Sequence, residues 1–294
     1  GRCAAAGTRW QCRAHQRRRH QLTHRRPRRR RLPGRARSRV WQPQRPRVAA
    51  AFRINLRLFE EVRQISTGKG TGAGRFLVST SRGQISADQV IVATGFYDLP
   101  FALGVPGENL PKVRHYFGDP HFYSFQKVLV VGAMNSAVDA ALETWRKGAE
   151  VTMVIRETEI GERVKYWVRP DIINRIQEGS IRAYYQSTIE AIRAESVDLA
   201  TPDGIVTVPN DWVLAMTGYQ PNLAFLQSAG VHLADDDART PELDAATHET
   251  NVPGLFLAGV ICGGMNTHRL FIENSREHAT RIIETISSRR GCDR

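Results

Sequence analysis

Residues Lys127–Arg156 have the sequence KVLVVGAMNSAVDAALETWRKGAEVTMVIR. The apolar run Val128–Val131 is typical of a buried parallel strand, and Gly132 permits a tight turn after it. Small residues from Ser136 to Trp145 predict a helix, and Gly148 ends it before a second apolar run. The stretch therefore predicts a strand–turn–helix–strand unit, whose helix N-terminus can bind a pyrophosphate through free backbone N–H groups.

Other apolar runs predict strands on both sides of this unit. The alternating segment Ile54–Phe59 is typical of a strand, and so are Asp88–Gly95 and Trp212–Gly218, which end in Thr-Gly. Further strands are predicted at Arg75–Thr80, Val197–Ala200, Ile205–Val208 and Leu255–Gly259, and a helix at Phe271–Ser287. Strands that alternate with helices indicate an α/β fold.

The strong positive charge is confined to one end of the chain. Residues 1–50 contain 17 Arg and no Lys, Asp or Glu, whereas the remaining residues hold 25 basic and 29 acidic side chains. A basic tail can bind nucleic acid, act as a targeting segment or be a disordered tail. Selection for charge alone would admit Lys. We therefore interpret residues 1–46 as an Arg-rich segment that is disordered or translated out of frame, and we do not expect nucleic-acid binding.

Cysteine spacing and hydropathy exclude several classes of protein. Cysteines stand at positions 3, 12, 262 and 292, without a CxxC pair and without zinc spacing to histidine, so neither a disulfide framework nor a metal site is predicted. The longest nearly apolar run, Gly254–Met265, is shorter than the ~18 residues of a membrane span. We expect a cytoplasmic protein without a membrane segment, in which Cys262 is a small buried residue with no redox role.

The turn after the first strand departs from the GxGxxG loop of dinucleotide-binding proteins at one position. The three glycine positions of that loop fall on Gly132, Met134 and Ala137. Gly132 and Ala137 suit the tight turn and the close packing of the helix, but the Met134 side chain would crowd a pyrophosphate. Asn135 and Ser136 can add hydrogen-bond donors to a phosphate. A strand–helix turn without a ligand stays open as an alternative.

The end of the second strand bears on the choice of nucleotide. Arg156 lies 24 residues beyond Gly132, where an acidic residue would bind a ribose 2′-hydroxyl and an arginine suits a 2′-phosphate. Arg163 and Lys165 follow in the next loop and can add to such a site. The neighbouring Glu157 argues against it, and an ordinary surface charge is the alternative. The pattern favours NADP(H) over NAD(H).

The order of these motifs resembles the flavoprotein disulfide reductases with two dinucleotide-binding domains, and within them the thioredoxin-reductase-like group. The matching segments are Ile91–Gly95, the Gly132 loop, Met216–Gly218 and Asn251–Gly259. Val164–Asp171 and Phe271–Asn274 are similar to segments of the YpdA-type bacillithiol disulfide reductases. The resemblance extends from about Arg47 to Ile286.

The resemblance implies an α/β fold with two Rossmann-like domains. The FAD-binding domain would comprise residues 47–117 and 219–294, and an NADPH-binding domain would be inserted at residues 118–218. The family begins with a strand and a GxGxxG loop for FAD, and residues 1–46 contain neither. We therefore expect an FAD domain that is incomplete at its N-terminus.

By resemblance, two sets of residues contact the cofactors. The NADPH set is Gly132, Asn135, Ser136, Ala137 and Arg156, and the FAD set is Thr94, Gly95 and Gly259. Many relatives have Asp directly after the glycine that corresponds to Gly259, where this chain has Val260. No residue is assigned a catalytic role, because the thiol-exchange cysteine of YpdA-like proteins lies in the missing loop and the CxxC of thioredoxin reductases is absent.

The implied function is that of an oxidoreductase that passes hydride from NADPH by way of FAD to a low-molecular-weight thiol disulfide, as a homo-oligomer. Loss of the FAD loop would leave this chain inactive. Two alternatives stay open. One is a flavin-dependent monooxygenase, whose connector Ala93–Gly107 resembles, and the other is a non-catalytic NADP-binding fragment.

Overall fold

The computed structural model describes residues 49, 51–68 and 75–292, with side chains as far as residue 289. The predicted Arg-rich segment 1–46 lies outside the described residues. None of the described helices combines the length and the hydropathy that a membrane span requires.

The described elements follow one another along the chain in this order. The strands are β1 (Val62–Thr67), β2 (Phe76–Thr80), β3 (Gly83–Ala87), β4 (Val90–Val92), β5 (Leu99–Pro100), β6 (Val113–Arg114), β7 (Lys127–Val131), β8 (Glu150–Val154), β9 (Arg182–Tyr184), β10 (Thr188–Ile192), β11 (Ser196–Thr201), β12 (Gly204–Pro209), β13 (Trp212–Ala215), β14 (Tyr219–Gln220) and β15 (Leu255–Leu257). The α-helices are α1 (Asn135–Arg146), α2 (Arg169–Gln177), α3 (Leu223–Ser228) and α4 (Ile272–Cys292).

A five-stranded parallel sheet carries the strand–turn–helix–strand unit predicted from the sequence. Its strand order is β6-β13-β7-β8-β9. Leu129, Val130, Val213 and Leu214 in the central strands are fully buried, as expected for strands covered on both faces. The chain runs from β7 to β8 and β9 on one side and returns to β13 on the other. The strand order therefore reverses beside β7, and open α/β sheets bind ligands at such a point.

Helix α1 packs closely on this sheet because its inner face is made of small residues. Ala137, Ala140 and Ala141 have no exposed surface. The helix follows the predicted helix to within one residue at each end, and Gly148, with a φ of 84°, breaks the chain before β8. The three strands β10, β11 and β12 form an antiparallel meander that shares a second apolar cluster with the sheet. Its β11–β12 turn confirms the predicted hairpin.

The second part of the described chain is built from a meander and a parallel strand pair. Strands β1, β2 and β3 are antiparallel, and β4 pairs in parallel with β15 so that Val90 lies opposite Leu255 and Val92 opposite Leu257. Both members of the β15 pair are fully buried. On the other side of β4 no described strand is paired, and Ile91 is 44% exposed there. This sheet has an open apolar edge.

The strand predicted at Ile54–Phe59 is wrong. The segment is a loop with a turn, and Ile54, Leu56 and Leu58 are each more than half exposed. Alternating apolar residues form a strand only where another strand supplies hydrogen bonds and a buried face, and no described strand pairs with this segment.

Two short strands join the parts of the chain. β5 and β14 pair in an antiparallel manner, and the Phe101 N–H donates to the Gly218 oxygen at 3.1 Å. The Tyr219 hydroxyl donates to the His115 oxygen at 2.6 Å, and burial raises the pKa of Tyr219 to about 12, so this bond stays intact in neutral solution. Strand β6 pairs with β13, so the five-stranded sheet includes a strand N-terminal to the predicted domain boundary at residue 118.

An acid-sensitive ion pair holds the loop before β15. Arg289 donates to both carboxylate oxygens of Glu249 at 2.7 and 2.6 Å, and the Gly254 N–H donates to the same carboxylate at 2.6 Å. The hydrogen bonds from Arg289, followed by that from Gly254, lower the pKa of Glu249 although burial opposes them. A carboxyl group with a lowered pKa stabilises the fold above its unfolded pKa, and this contribution is lost as the pH falls through the folded pKa.

We predict that Glu249→Gln lowers the free energy of unfolding at neutral pH by no more than about 1 kcal/mol, because Arg289 is half exposed and solvent screens the pair. The difference between variant and wild type should close below about pH 4, where the unfolded carboxyl is protonated. Urea unfolding at several pH values measures it, with the exposed Glu242→Gln as the control. A difference that stays constant with pH would contradict the prediction.

Candidate dinucleotide-binding site

The candidate site begins at the turn after β7. Gly132 has a φ of 115°, and a Cβ atom at this position would lie 2.8 Å from the backbone oxygen of Met216. The Gly132 N–H donates to the Val154 oxygen at 3.0 Å, and the Met216 N–H donates to the Val131 oxygen at 3.0 Å. The turn is thus fixed from both neighbouring strands. Only glycine fits it, and the chain enters α1 directly at the reversal of strand order.

The N-terminus of α1 is open at this crevice. Met134 is the N-cap residue and makes no side-chain capping hydrogen bond, and its side chain is 43% exposed. Ser136 is exposed in the first turn, whereas Ala137 is fully buried beneath it. Backbone N–H groups in the first turn of a helix have no partner within the helix. This end of α1 therefore offers donors and a positive dipole end to an anion.

Asn135 has a structural partner that its sequence position did not indicate. Its side-chain oxygen accepts the Lys165 N–H at 2.9 Å, and its amide nitrogen donates to the Arg163 oxygen at 3.5 Å. The Lys165 ammonium also donates to Asp139 on α1 at 2.8 Å. The side chain proposed as a phosphate donor is therefore engaged with the loop after β8. Its effect is to hold that loop beside the N-terminus of α1.

Two cations at this end of the sheet remain available to a ligand. Arg156 directly follows the end of β8, and Arg163 lies in the loop that Asn135 anchors. Both side chains are exposed, and neither guanidinium makes a hydrogen bond or an ion pair with any described residue. Arg156 and Arg163 therefore sit near the open helix end with their charges unpaired, as a phosphate-binding site requires.

An exposed aromatic pair adjoins the same loop. Tyr166 and Trp167 are 82% and 65% exposed, and their rings meet edge to face with centroids 4.9 Å apart. Their backbone follows Lys165, which Asn135 holds. The sequence marked this segment as part of a resemblance and gave no sign that its aromatic rings face solvent.

The predicted FAD residues meet at one edge of the β4–β15 pair. Because the two strands are parallel, Thr94 and Gly95 after β4 lie at the same end as Gly259 after β15. The Ala258 N–H donates to the Val92 oxygen at 3.0 Å and keeps the two strand ends together. Gly95 and Gly259 have φ values of 78° and 80°, a backbone region that favours glycine. The structure thus brings all three predicted residues to one edge.

This edge fits only part of an FAD site. A dinucleotide site needs a strand, a glycine loop and a helix that bring backbone N–H groups to the pyrophosphate. No such unit pairs with β4 among the residues that the structure describes, and the free side of β4 is apolar. Thr94, Gly95 and Gly259 would line the flavin side of such a site.

Behind the β15 edge, the structure brings together three residues that the sequence did not connect. His248, Cys262 and His278 are all buried, and the His248 and His278 rings stack with centroids 4.0 Å apart. Burial raises the pKa of the Cys262 thiol to about 12 and lowers the pKa of both imidazoles. A thiol with this pKa is protonated at neutral pH and is a poor nucleophile. Cys262 therefore offers no support for a thiol-exchange role.

Comparison with known proteins matches most of the chain to one family. Residues 36–259 match the family model of the pyridine nucleotide-disulphide oxidoreductases. The chain is 41% identical over 215 residues to the bacilliredoxin reductase Bdr of Bacillus subtilis (strain 168), a match that covers 73% of this chain and 66% of that protein. The chain thus spans less than two thirds of the length of this relative.

Two solved structures have the same fold. Both are described as bacillithiol disulfide reductase Bdr (YpdA). The Staphylococcus aureus structure matches with a TM-score of 0.75 and 30% identity over 83% of this chain and 75% of its own. The Bacillus cereus structure matches with a TM-score of 0.75 and 34% identity over 84% of this chain and 76% of its own. These matches confirm the predicted thioredoxin-reductase-like α/β fold class.

We predict that Gly132→Ala destabilises the protein by about 1–3 kcal/mol, because the new Cβ would meet the Met216 oxygen and the residue would keep an unfavourable φ. Gly161→Ala is the matched control, since nothing lies within 4 Å of a Cβ there and its φ is not positive. Chemical denaturation measures both variants. Equal stabilities for the two variants would show that the close approach to Met216 is not a constraint.

Proposed function

Because the chain belongs to the pyridine nucleotide-disulphide oxidoreductase family, we propose that it binds NADPH and FAD and transfers reducing equivalents to a low-molecular-weight thiol disulfide. The oxidoreductase class predicted from the sequence is that of the family. The YpdA-type resemblance is confirmed by the named relatives from Bacillus subtilis, Staphylococcus aureus and Bacillus cereus.

The open N-terminus of α1 is the observation that carries the proposal. Its first-turn N–H groups have no side-chain cap, and Gly132 lets the backbone turn directly beside them. A nucleotide pyrophosphate is the anion that such a strand–turn–helix unit binds. The residues present therefore fit a nicotinamide dinucleotide, with the Met134 side chain at the margin of the crevice.

The unpaired arginines support NADPH over NADH. Arg156 lies where the second strand of a dinucleotide site meets the ribose of the adenosine. A guanidinium binds a phosphate through paired, charge-assisted hydrogen bonds, and neither Arg156 nor Arg163 is engaged with a described carboxylate. Both groups are thus free to bind a 2′-phosphate, which only NADPH carries.

The second cofactor in the proposal is FAD, which relays electrons between the nicotinamide and a disulfide when it is bound. Thr94, Gly95 and Gly259 would hold its flavin side at the end of the β4–β15 pair. The printed names of the relatives suggest the acceptor, a bacillithiol-type disulfide. We assign no catalytic cysteine among the described residues. A homo-oligomer and a cytoplasmic location also stay predictions.

A non-catalytic NADP-binding fragment is the second candidate, and the open edge of β4 favours it. Ile91 on β4 is 44% exposed, and no described strand covers it. A protein that cannot complete this sheet would keep the nucleotide site and lack the flavin. A flavin-dependent monooxygenase, the other alternative, would hold flavin but reduce oxygen rather than a disulfide.

We predict that Arg156→Ala weakens NADPH binding by roughly 10- to 100-fold, which corresponds to one lost charge-assisted contact of about 1.5–3 kcal/mol. NADH binding should change little, because NADH has no 2′-phosphate for the guanidinium to bind. Calorimetric titration with each nucleotide measures the ratio of the two dissociation constants.

The control for this experiment is Lys127→Ala. Lys127 is an exposed cation at the opposite end of β7, so its removal changes the net charge equally without touching the site. We expect its NADPH affinity to match that of the wild type. Equal losses of NADPH and NADH affinity in the Arg156 variant would sink the assignment of Arg156 to the 2′-phosphate.

We also predict that the purified full chain takes up FAD and shows flavin absorbance. NADPH should bleach this absorbance without air, and a thiol disulfide should restore it. Colour restored by oxygen with an organic substrate, but not by disulfide, would favour the monooxygenase. A colourless protein that binds NADPH and takes up no added FAD would leave the NADP-binding fragment as the function of this chain.

A further inference from the structure

Three potential metal ligands from separate elements meet beside β15. His248 lies in the loop before β15, Cys262 in the 3₁₀ turn Gly259–Gly263 after it, and His278 in α4. Their exposed fractions are 6%, 8% and 7%, and one ligand atom of each lies within 4.8 Å of the others. The Cys262 Sγ is 3.8 Å from the His278 Nδ1. These three residues are called the His–Cys cluster below.

The His248 imidazole has unused binding capacity. Its Nδ1 atom is buried and has no hydrogen-bond partner among the described residues. A buried polar atom without a partner is costly, and a native structure normally satisfies it with protein, water or an ion. His248 also has a φ of 60°, in the left-handed region that residues other than glycine seldom adopt. Such strain is concentrated at sites that bind or react.

The His278 imidazole is already in the form that a metal needs. Its Nδ1 accepts the Gly259 N–H at 3.1 Å, so this nitrogen carries a lone pair and no proton. The same atom faces the Cys262 thiol. The cluster thus holds one unprotonated nitrogen, one unpartnered nitrogen and one sulfur within a small buried volume.

We propose that the His–Cys cluster is a binding site for a transition-metal ion, and that Zn²⁺ is the ion it fits best. Imidazole nitrogen and cysteine sulfur are the ligands that zinc prefers, and the cluster contains no carboxylate of the kind that calcium and magnesium need. Three protein ligands leave the fourth tetrahedral position for water or a small ligand. This is the pattern of an open zinc site.

The distances suit such an ion after one side-chain movement. In a tetrahedral zinc site a sulfur and a nitrogen ligand lie about 3.5 Å apart, close to the separation of Cys262 and His278. The two imidazole planes are now inclined by 28° and face each other, whereas a metal lies in the plane of each ring. The His248 ring must therefore rotate out of the stack. On binding, the thiol proton leaves to solvent and the metal replaces the Gly259 hydrogen bond at His278.

The decisive experiment uses the full chain with Cys3, Cys12 and Cys292 changed to Ser, so that Cys262 is its only thiol. We expect one Zn²⁺ per chain by elemental analysis after exhaustive dialysis. Co²⁺ in place of Zn²⁺ should give a thiolate-to-cobalt charge-transfer band and the strong visible bands of tetrahedral cobalt. Cys262→Ser should abolish the charge-transfer band and weaken Zn²⁺ binding by more than about 100-fold.

Two further variants separate metal binding from folding. His248→Asn removes a ligand, and asparagine tolerates the left-handed backbone at this position, so we expect a folded protein with the same loss of Zn²⁺ affinity. His232→Ala is the matched control, because His232 is an exposed histidine paired with Glu242, and it should bind Zn²⁺ like the parent. Circular dichroism establishes that each variant is folded.

Three results would overturn the proposal. They are a parent protein that retains no Zn²⁺, a cobalt charge-transfer band that survives in Cys262→Ser, and a folded His248→Asn variant with unchanged Zn²⁺ affinity. Histidines elsewhere in the chain are common to all variants, so any metal they bind does not alter these differences. None of the readouts depends on NADPH, on FAD or on enzyme activity.

Discussion

The close approach of Gly132 to the Met216 oxygen is the contact on which the nucleotide edge depends. A side chain at residue 132 would push β7 and β13 apart or displace the start of α1. Buried Ala137, Ala140 and Ala141 continue the same requirement along the helix, because only small side chains let α1 lie close to the sheet. The outcome is a helix that begins directly over the reversal of strand order, with its unpaired N–H groups and positive dipole end aimed at the crevice.

The nucleotide unit could be predicted from the sequence because its signals are local. A buried strand, a glycine and a run of small residues each act over a few positions, and the structure reproduces them. The anchoring of the loop after β8 could not be predicted. Asn135 and Lys165 are 30 residues apart, and their contact follows from how the loop folds back over α1. Strand β6, with two residues, is too short to show a period.

The failed strand at Ile54–Phe59 and the open edge of β4 have one physical cause. A strand is stable only when a neighbour takes its backbone hydrogen bonds and covers its apolar face. The described residues supply such a neighbour on one side of β4, through β15, and none for residues 54–59. Apolar side chains in both places are consequently exposed. The predicted incompleteness of the FAD half thus corresponds to a measurable apolar surface that a strand would bury.

The two cofactor edges differ in their electrostatics, and this difference separates their chemistry. The α1 edge presents free N–H groups and unpaired arginines, so it is suited to anions. The β15 edge is backed by neutral buried groups, and one of them, His278, takes the Gly259 N–H that would otherwise face the predicted flavin position. Any group that claims the His278 lone pair releases this N–H. The Gly259 turn and the His–Cys cluster therefore share one hydrogen bond, and a change in one must be felt by the other.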